Sequence, residues 1–150
     1  LLGKTVITVQ KNPIQVFYTN NDRGFAFTSY ELEGEYHVLQ FSVDAAELAG
    51  IMEKKEVNIL DVRKKSEYQS EHLLDAENAP LDFINDSMAQ LDKNKTYYVH
   101  CAGGYRSMIF NSILRARGYD NLIDVKGGFK SLKESNQFKI SDYVCPSTLL

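Results

Sequence analysis

The stretch "YYVHCAGGYRS", residues 97–107, decides the fold. Aromatic and β-branched residues run up to His100 as they do in a strand, and the apolar residues after Ser107 recur at helical spacing. The pattern predicts a strand over 96–100 and a helix over 107–117. That helix carries Ile109, Phe110, Ile113 and Leu114 on one face, and Gly118 is placed to end it. Between strand and helix lie Cys101, two glycines and Arg106. A loop that leaves the carboxyl end of a buried strand and enters a helix is where open α/β sheets place their ligands.

Working outward, the same alternation repeats. The run 57–62 is short and apolar and ends in charge, which suits a buried parallel strand. A helix is predicted over 42–52 with Ser42 as its cap, a short helix over 66–73, and an extended piece over 76–80. Leu81, Ile84, Met88 and Leu91 have helical spacing, and 121–125 reads as the last strand before Gly127, Gly128 and a short helix to about 134. Over 41–135 the expectation is therefore an α/β domain, a parallel sheet flanked by helices on both faces. Residues 1–40 differ. "KTVITVQ", "IQVFYT" and "GFAFTSY" read as strands joined by turns at 11–13 and 20–24. They are expected to form an N-terminal β-rich extension or the remnant of a preceding module. Residues 136–150 read as a loose C-terminal tail.

The chain has 150 residues, enough for one ordinary domain with a core and an appendage. Its apolar fraction of 43%, charged fraction of 25% and net charge of −3 are those of a soluble globular protein. They give no electrostatic reason to expect nucleic acid or an anionic membrane as partner. No apolar run approaches the ~20 residues that span a bilayer, and the opening "LLGKTV" lacks the look of a secretory leader, so the expectation is cytoplasmic. Two cysteines and three histidines make neither a disulfide framework nor a zinc spacing, and no metal is expected. Cys145, before a proline, reads as incidental, and His37 reads as structural.

Cys101 would by itself be read as a small buried hydrophobe. Its neighbours change that. Successive N–H groups in a glycine-rich turn can curl into an anion-binding nest, and the helix behind adds a partial positive charge of about +0.5. Gly103 and Gly104 let the backbone approach a ligand closely, and the Arg106 fork binds oxyanions. The field that binds an anion also stabilises a thiolate, so Cys101 reads as a nucleophile whose product site is already built. Such a site suits a reaction that leaves a charged group on sulfur, a persulfide or a phosphate. An exposed thiolate there would also oxidise readily. The plain alternative, a turn with glycines for geometry alone, does not call for cysteine, paired glycines and arginine together.

The run "ILDVRKKSEYQSEHLLDAENAPL" resembles the rhodanese-domain pattern, and "YYVHCAGGYRS", "RARGY" and "NLIDVKGGF" continue the resemblance in order over about residues 41–135. The resemblance implies a rhodanese-like fold and a sulfurtransferase. Cys101 would take sulfane sulfur from a small anionic donor such as thiosulfate, hold it as a persulfide and pass it to a thiol acceptor, with no other cofactor. The amides of Ala102, Gly103, Gly104, Tyr105 and Arg106 would hold the persulfide, and Arg106 would also draw in the anionic donor. Asp61, Arg63 and Ser107 are matched as supporting residues: Asp61 as a hydrogen-bond partner near the site, Arg63 as an ion-pair partner of Glu67. Tyr105 would sit at the rim, His72 would pack, and His100 would face away from the sulfur. Gly127 and Gly128 would permit a tight turn beside the active loop, and Leu132 stands where the family often has Trp. The whole chain, including its ending "DYVCPSTLL", is similar to the C-terminal part of bacterial proteins that fuse a metallo-β-lactamase-like persulfide dioxygenase to rhodanese modules. A persulfide-dioxygenase domain in the same chain is therefore an expected partner.

Two other classes share this fold. Phosphatases and arsenate reductases of related type place five residues between cysteine and arginine, whereas four intervene here, Ala102 to Tyr105, which favours sulfur. Non-catalytic rhodanese-like modules commonly lose the cysteine, and this chain keeps Cys101, both glycines and Arg106.

Overall fold

The computed structural model describes residues 4–5, 14–17, 25–32, 35–40 and 42–148. In the N-terminal part, strands β1 (Lys4–Thr5), β2 (Ile14–Phe17), β3 (Phe25–Leu32) and β4 (Glu35–Gln40) pair antiparallel in the order β1-β4-β3-β2. The turns expected at 11–13 and 20–24 lie outside the described residues.

The second sheet is parallel throughout. It is built from β5 (Ser42–Val43), β6 (Asn58–Asp61), β7 (Ala76–Asn78), β8 (Tyr97–His100) and β9 (Leu122–Val125), in the order β5-β9-β8-β6-β7. Side chains alternate across it as the pleat requires. Ile59, Tyr98 and Val125 pack on one face with Leu48 of α1 (Ala45–Met52) and with Phe129 and Leu132 of α5 (Gly128–Glu134). Leu60, Val99 and Leu122 pack on the other face with Phe110 and Leu114 of α4 (Tyr105–Ala116), joined by Ile84 and Met88 of α3 (Ile84–Gln90). Each fully buried Leu or Phe stabilises the fold by about 1.5–3 kcal/mol. Leu132 is fully buried, so a smaller apolar residue fills the expected Trp position.

Several details differ from the sequence pattern. Ser42 is not a helix cap: it pairs with Asp124 in β5, and Asp44 caps α1. The Asp44 carboxylate accepts the Glu47 N–H and the Glu47 carboxylate accepts the Asp44 N–H, both at 2.8 Å, a closed capping box that Ser42 lacks the spacing to make. The predicted helix over 66–73 is α2 (Lys65–Ser70), and 81–91 divides into a 3-10 turn (Leu81–Phe83) and α3. On α4 the apolar stripe is interrupted: Asn111, Ser112 and Arg115 are buried beside Phe110 and Leu114, while Ile109 and Ile113 are half-buried. The strands β2 and β3 lie against this helix.

The tail is not loose. Ser141 N–H donates to His72 O, Leu74 N–H to Lys139 O and Val144 N–H to Ser70 O, at 2.8, 3.0 and 2.8 Å. The Ser70 hydroxyl adds a bond to Val144 O, the Ser141 hydroxyl accepts His72 N–H, and Phe138 and Ile140 pack on the core, a mixture of contacts with no helical or strand period to reveal it. Among the described residues no helix is long and apolar enough to cross a membrane.

Candidate active site

The site lies at the carboxyl edge of the parallel sheet, where β8 ends and α4 begins. Cys101 follows His100 directly and is 1% exposed, so the expected exposed thiol is a buried one on the floor of the loop. Gly104 takes φ 111° as the N-cap of α4, a conformation that side chains resist. The chain thereby turns back, and Gly104 N–H donates to Cys101 Sγ at 3.1 Å. Ser107, in the first turn of α4, donates its hydroxyl to Gly104 O at 3.2 Å and places it 3.7 Å from the sulfur. Tyr105 stands 61% exposed at the rim.

A second turn braces the loop from behind. Gly127 and Gly128 both have positive φ, and α5 starts there, so Phe129 N–H donates to Cys101 O at 2.7 Å and Lys130 N–H to Ala102 O at 3.2 Å. A Cβ on Gly128 would overlap Cys101 O and lie 2.7 Å from Ala102 C and O. Gly128→Ala therefore forces the two backbones apart and moves the sulfur. Misplacing a reacting group by about 1 Å costs on the order of 100-fold, and a loss of that size in kcat/KM is expected, with the melting temperature as the folding control. A loss under threefold would show that the brace does not position the sulfur.

Asp61 and Arg63 are both buried, but Arg63 does not pair with Glu67. Its Nε and NH2 donate to the Asp61 carboxylate at 2.6–3.0 Å, its NH2 also donates to Glu71 O at 2.8 Å, and its guanidinium lies 4.0 Å from the Phe129 ring centre. Removing either partner would leave a buried charge uncompensated, the costly case for an ion pair. Asn78 donates to Asp61 O and Arg63 O and fixes the turn between them. His100 is fully buried against this pair. Its Nδ1 lies 3.2 Å from Cys101 O and its Nε2 3.9 Å from Asp61 Oδ2, and burial pushes its pKa down, so the ring stands neutral. These contacts hold the backbone of the nucleophile and give the ring no proton to take from it. His72 stacks on Tyr68 and bonds its carbonyl, a packing role.

Glu67 instead meets Arg106. Arg106 NH1 and NH2 donate to the two Glu67 carboxylate oxygens at 2.6 and 2.9 Å. The pairing lowers the pKa of Glu67 and raises that of Arg106, so both stay charged. The Arg106 expected to face an incoming donor is thus tied to a carboxylate.

One further group escapes the sequence pattern. Asp124 is fully buried in β9 beside Val99, with the Ser107 hydroxyl as its nearby polar neighbour. Burial raises its pKa to about 7, with the Ser107 hydroxyl and Lys126 opposing the shift. The signal was a charged residue inside an otherwise apolar strand run. Cys145 is exposed in the tail, its thiol 3.0 Å from the Ser147 hydroxyl, which holds its pKa below the ordinary value. Among the described residues no group of three or more His, Cys, Asp or Glu side chains is placed to hold a metal ion.

Comparison with known proteins bears on this geometry. A family model described as "Rhodanese-like domain" matches residues 44–135. The chain is 36% identical over 75 residues to "Thiosulfate sulfurtransferase PspE" of Escherichia coli (strain K12), covering 49% of this chain and 71% of that protein. It is 30% identical over 76 residues to "Uncharacterized protein YqhL" of Bacillus subtilis (strain 168), covering 51% of this chain and 60% of that one, so it spans less than two thirds of that relative's length. Among solved structures, a rhodanese-like domain protein from Staphylococcus aureus superposes with a TM-score of 0.60 at 33% identity, over 68% of this chain and 99% of that chain.

Proposed function

The chain belongs to the rhodanese-like domain family, and from that premise we propose that it is a sulfurtransferase carrying sulfane sulfur on Cys101. The observation that carries this reading is the Gly104 N–H aimed at a buried Cys101 sulfur, 3.1 Å away, at the start of a 12-residue helix. A donor N–H and a helix N-terminus favour negative charge at the sulfur and at an outer sulfur attached to it.

With thiosulfate as donor, the Cys101 thiolate attacks the sulfane sulfur. A Cys101–S bond forms, the S–SO3 bond breaks, and sulfite leaves with the electron pair. With a protonated organic persulfide, R–S–SH, the outer sulfur transfers in the same way and RS− leaves. An acceptor thiolate then attacks the outer sulfur of the Cys101 persulfide and regenerates the Cys101 thiolate. Neither step calls for a metal or an organic cofactor. An oxygenase domain that consumes persulfide, carried on the same polypeptide, would be a fitting partner for this sulfur.

Intact mass after incubation with thiosulfate or with 2-hydroxyethyl persulfide tests the reading. The expected result is a gain of one sulfur, about 32 mass units, removed by cyanide or excess thiol and mapping to Cys101, as an activated nucleophile requires. Protein alkylated beforehand at Cys101 gains nothing. No adduct from either donor, or an adduct on Cys145 alone, would overturn it.

A further inference from the structure

The Arg106–Glu67 pair has a structural origin that bears on which donor the site accepts. Strands β6 and β8 are parallel neighbours with Asp61 opposite His100, and Glu67 and Arg106 each lie six residues beyond that register pair. Parallel register therefore brings the first turns of α2 and α4 together at the sheet's carboxyl edge. The Glu67 carboxylate is held there by three donors: Arg106 NH1 and NH2, and the Lys64 N–H at 3.2 Å on Oε2. Its partner Arg106 lies within electrostatic reach of Cys101. Both side chains are about one third exposed, 30% for Arg106 and 36% for Glu67, so solvent and small solutes reach the pair.

A guanidinium alone at that place would attract a dianion strongly. A guanidinium bonded to a carboxylate presents a dipole whose field falls off quickly, and its bidentate donors are already taken. We propose that Glu67 sets the charge class of the sulfur donor, disfavouring doubly charged thiosulfate relative to an organic persulfide, which carries at most one negative charge and reacts as neutral R–S–SH. The proposal rests on the sulfurtransferase reading and names the substrate class of that same site.

Glu67→Gln uncovers the Arg106 charge. The measured quantity is the selectivity ratio, kcat/KM for thiosulfate divided by kcat/KM for 2-hydroxyethyl persulfide. It is expected to rise about tenfold, the equivalent of 1.4 kcal/mol. A merely structural role for Glu67 would lower both constants together and leave the ratio in place, and an unmoved ratio overturns the proposal. Ionic strength gives a second measurement that needs no variant. In the parent protein kcat/KM for thiosulfate is expected to stay flat or rise with salt, because no net attraction is there to be screened. A steep fall with salt would show Arg106 acting as a free cation and would overturn the proposal. Failure of the sulfurtransferase reading is separate and visible: neither donor would then leave sulfur on Cys101.

Discussion

Cys101→Ser transfers no sulfur and keeps its fold. The substitution replaces one buried atom, and a serine hydroxyl at that place still gives Gly104 N–H an acceptor, so the loop has no reason to rearrange. What disappears is the chemistry. A hydroxyl does not ionise near neutral pH and forms no stable analogue of a persulfide with a sulfane donor. Removing the nucleophile of a covalent mechanism costs roughly 10^4-fold or more, which here means activity at background. The assay is sulfite release from thiosulfate with a thiol or cyanide acceptor, with thermal melting as the folding control. Retained turnover in a folded variant would move the chemistry to the exposed Cys145.

Asp124→Asn stabilises the protein above neutral pH. Burial raises the Asp124 pKa from 3.8 to about 7, so the folded state holds its proton more tightly than the unfolded chain does. Below the unfolded value both states are protonated and the group's contribution is fully present. As pH climbs from about 4 through 7 the unfolded chain releases the proton first, and folding stability falls across that window. The separation of about three pH units corresponds to a penalty on the order of 4 kcal/mol once both states are ionised. Asparagine keeps the shape and carries no charge to desolvate, so the variant should match the parent near pH 4 and exceed it at pH 8. Glu67, its pKa lowered by Arg106, shifts stability the opposite way but in the acid range, outside this window. Denaturant unfolding at pH 4 and pH 8 checks the difference. Equal stabilities at pH 8 would mean that Asp124 finds solvent or a partner when ionised.

Much of the fold was legible because its signals are local. The strand ending at His100, the helix ended by Gly118 and the alternation of strands with helices all follow from periodicity and glycine placement. The loop's chemistry was legible for the same reason: Cys101, Gly104 and Ser107 lie within seven consecutive residues and meet through backbone geometry. The C-terminal strap was not legible, since its backbone hydrogen bonds join residues 65 to 74 positions apart and such bonds leave no mark on side-chain pattern.

The charged residues show where sequence stops. Arg63 was expected to pair with Glu67, but it precedes α2, which carries Glu67. Its guanidinium folds inward onto Asp61 and Phe129 instead. Glu67 is left to reach Arg106, 39 residues away, across adjoining helices. By itself the sequence determined the order of elements and the place of Cys101 at the start of a helix, because both depend on conformational preferences of neighbouring residues. Only the tertiary structure decided which carboxylate faces which cation, and that Asp124 loses its water, because ionic partners and burial are set through space by strand register and packing.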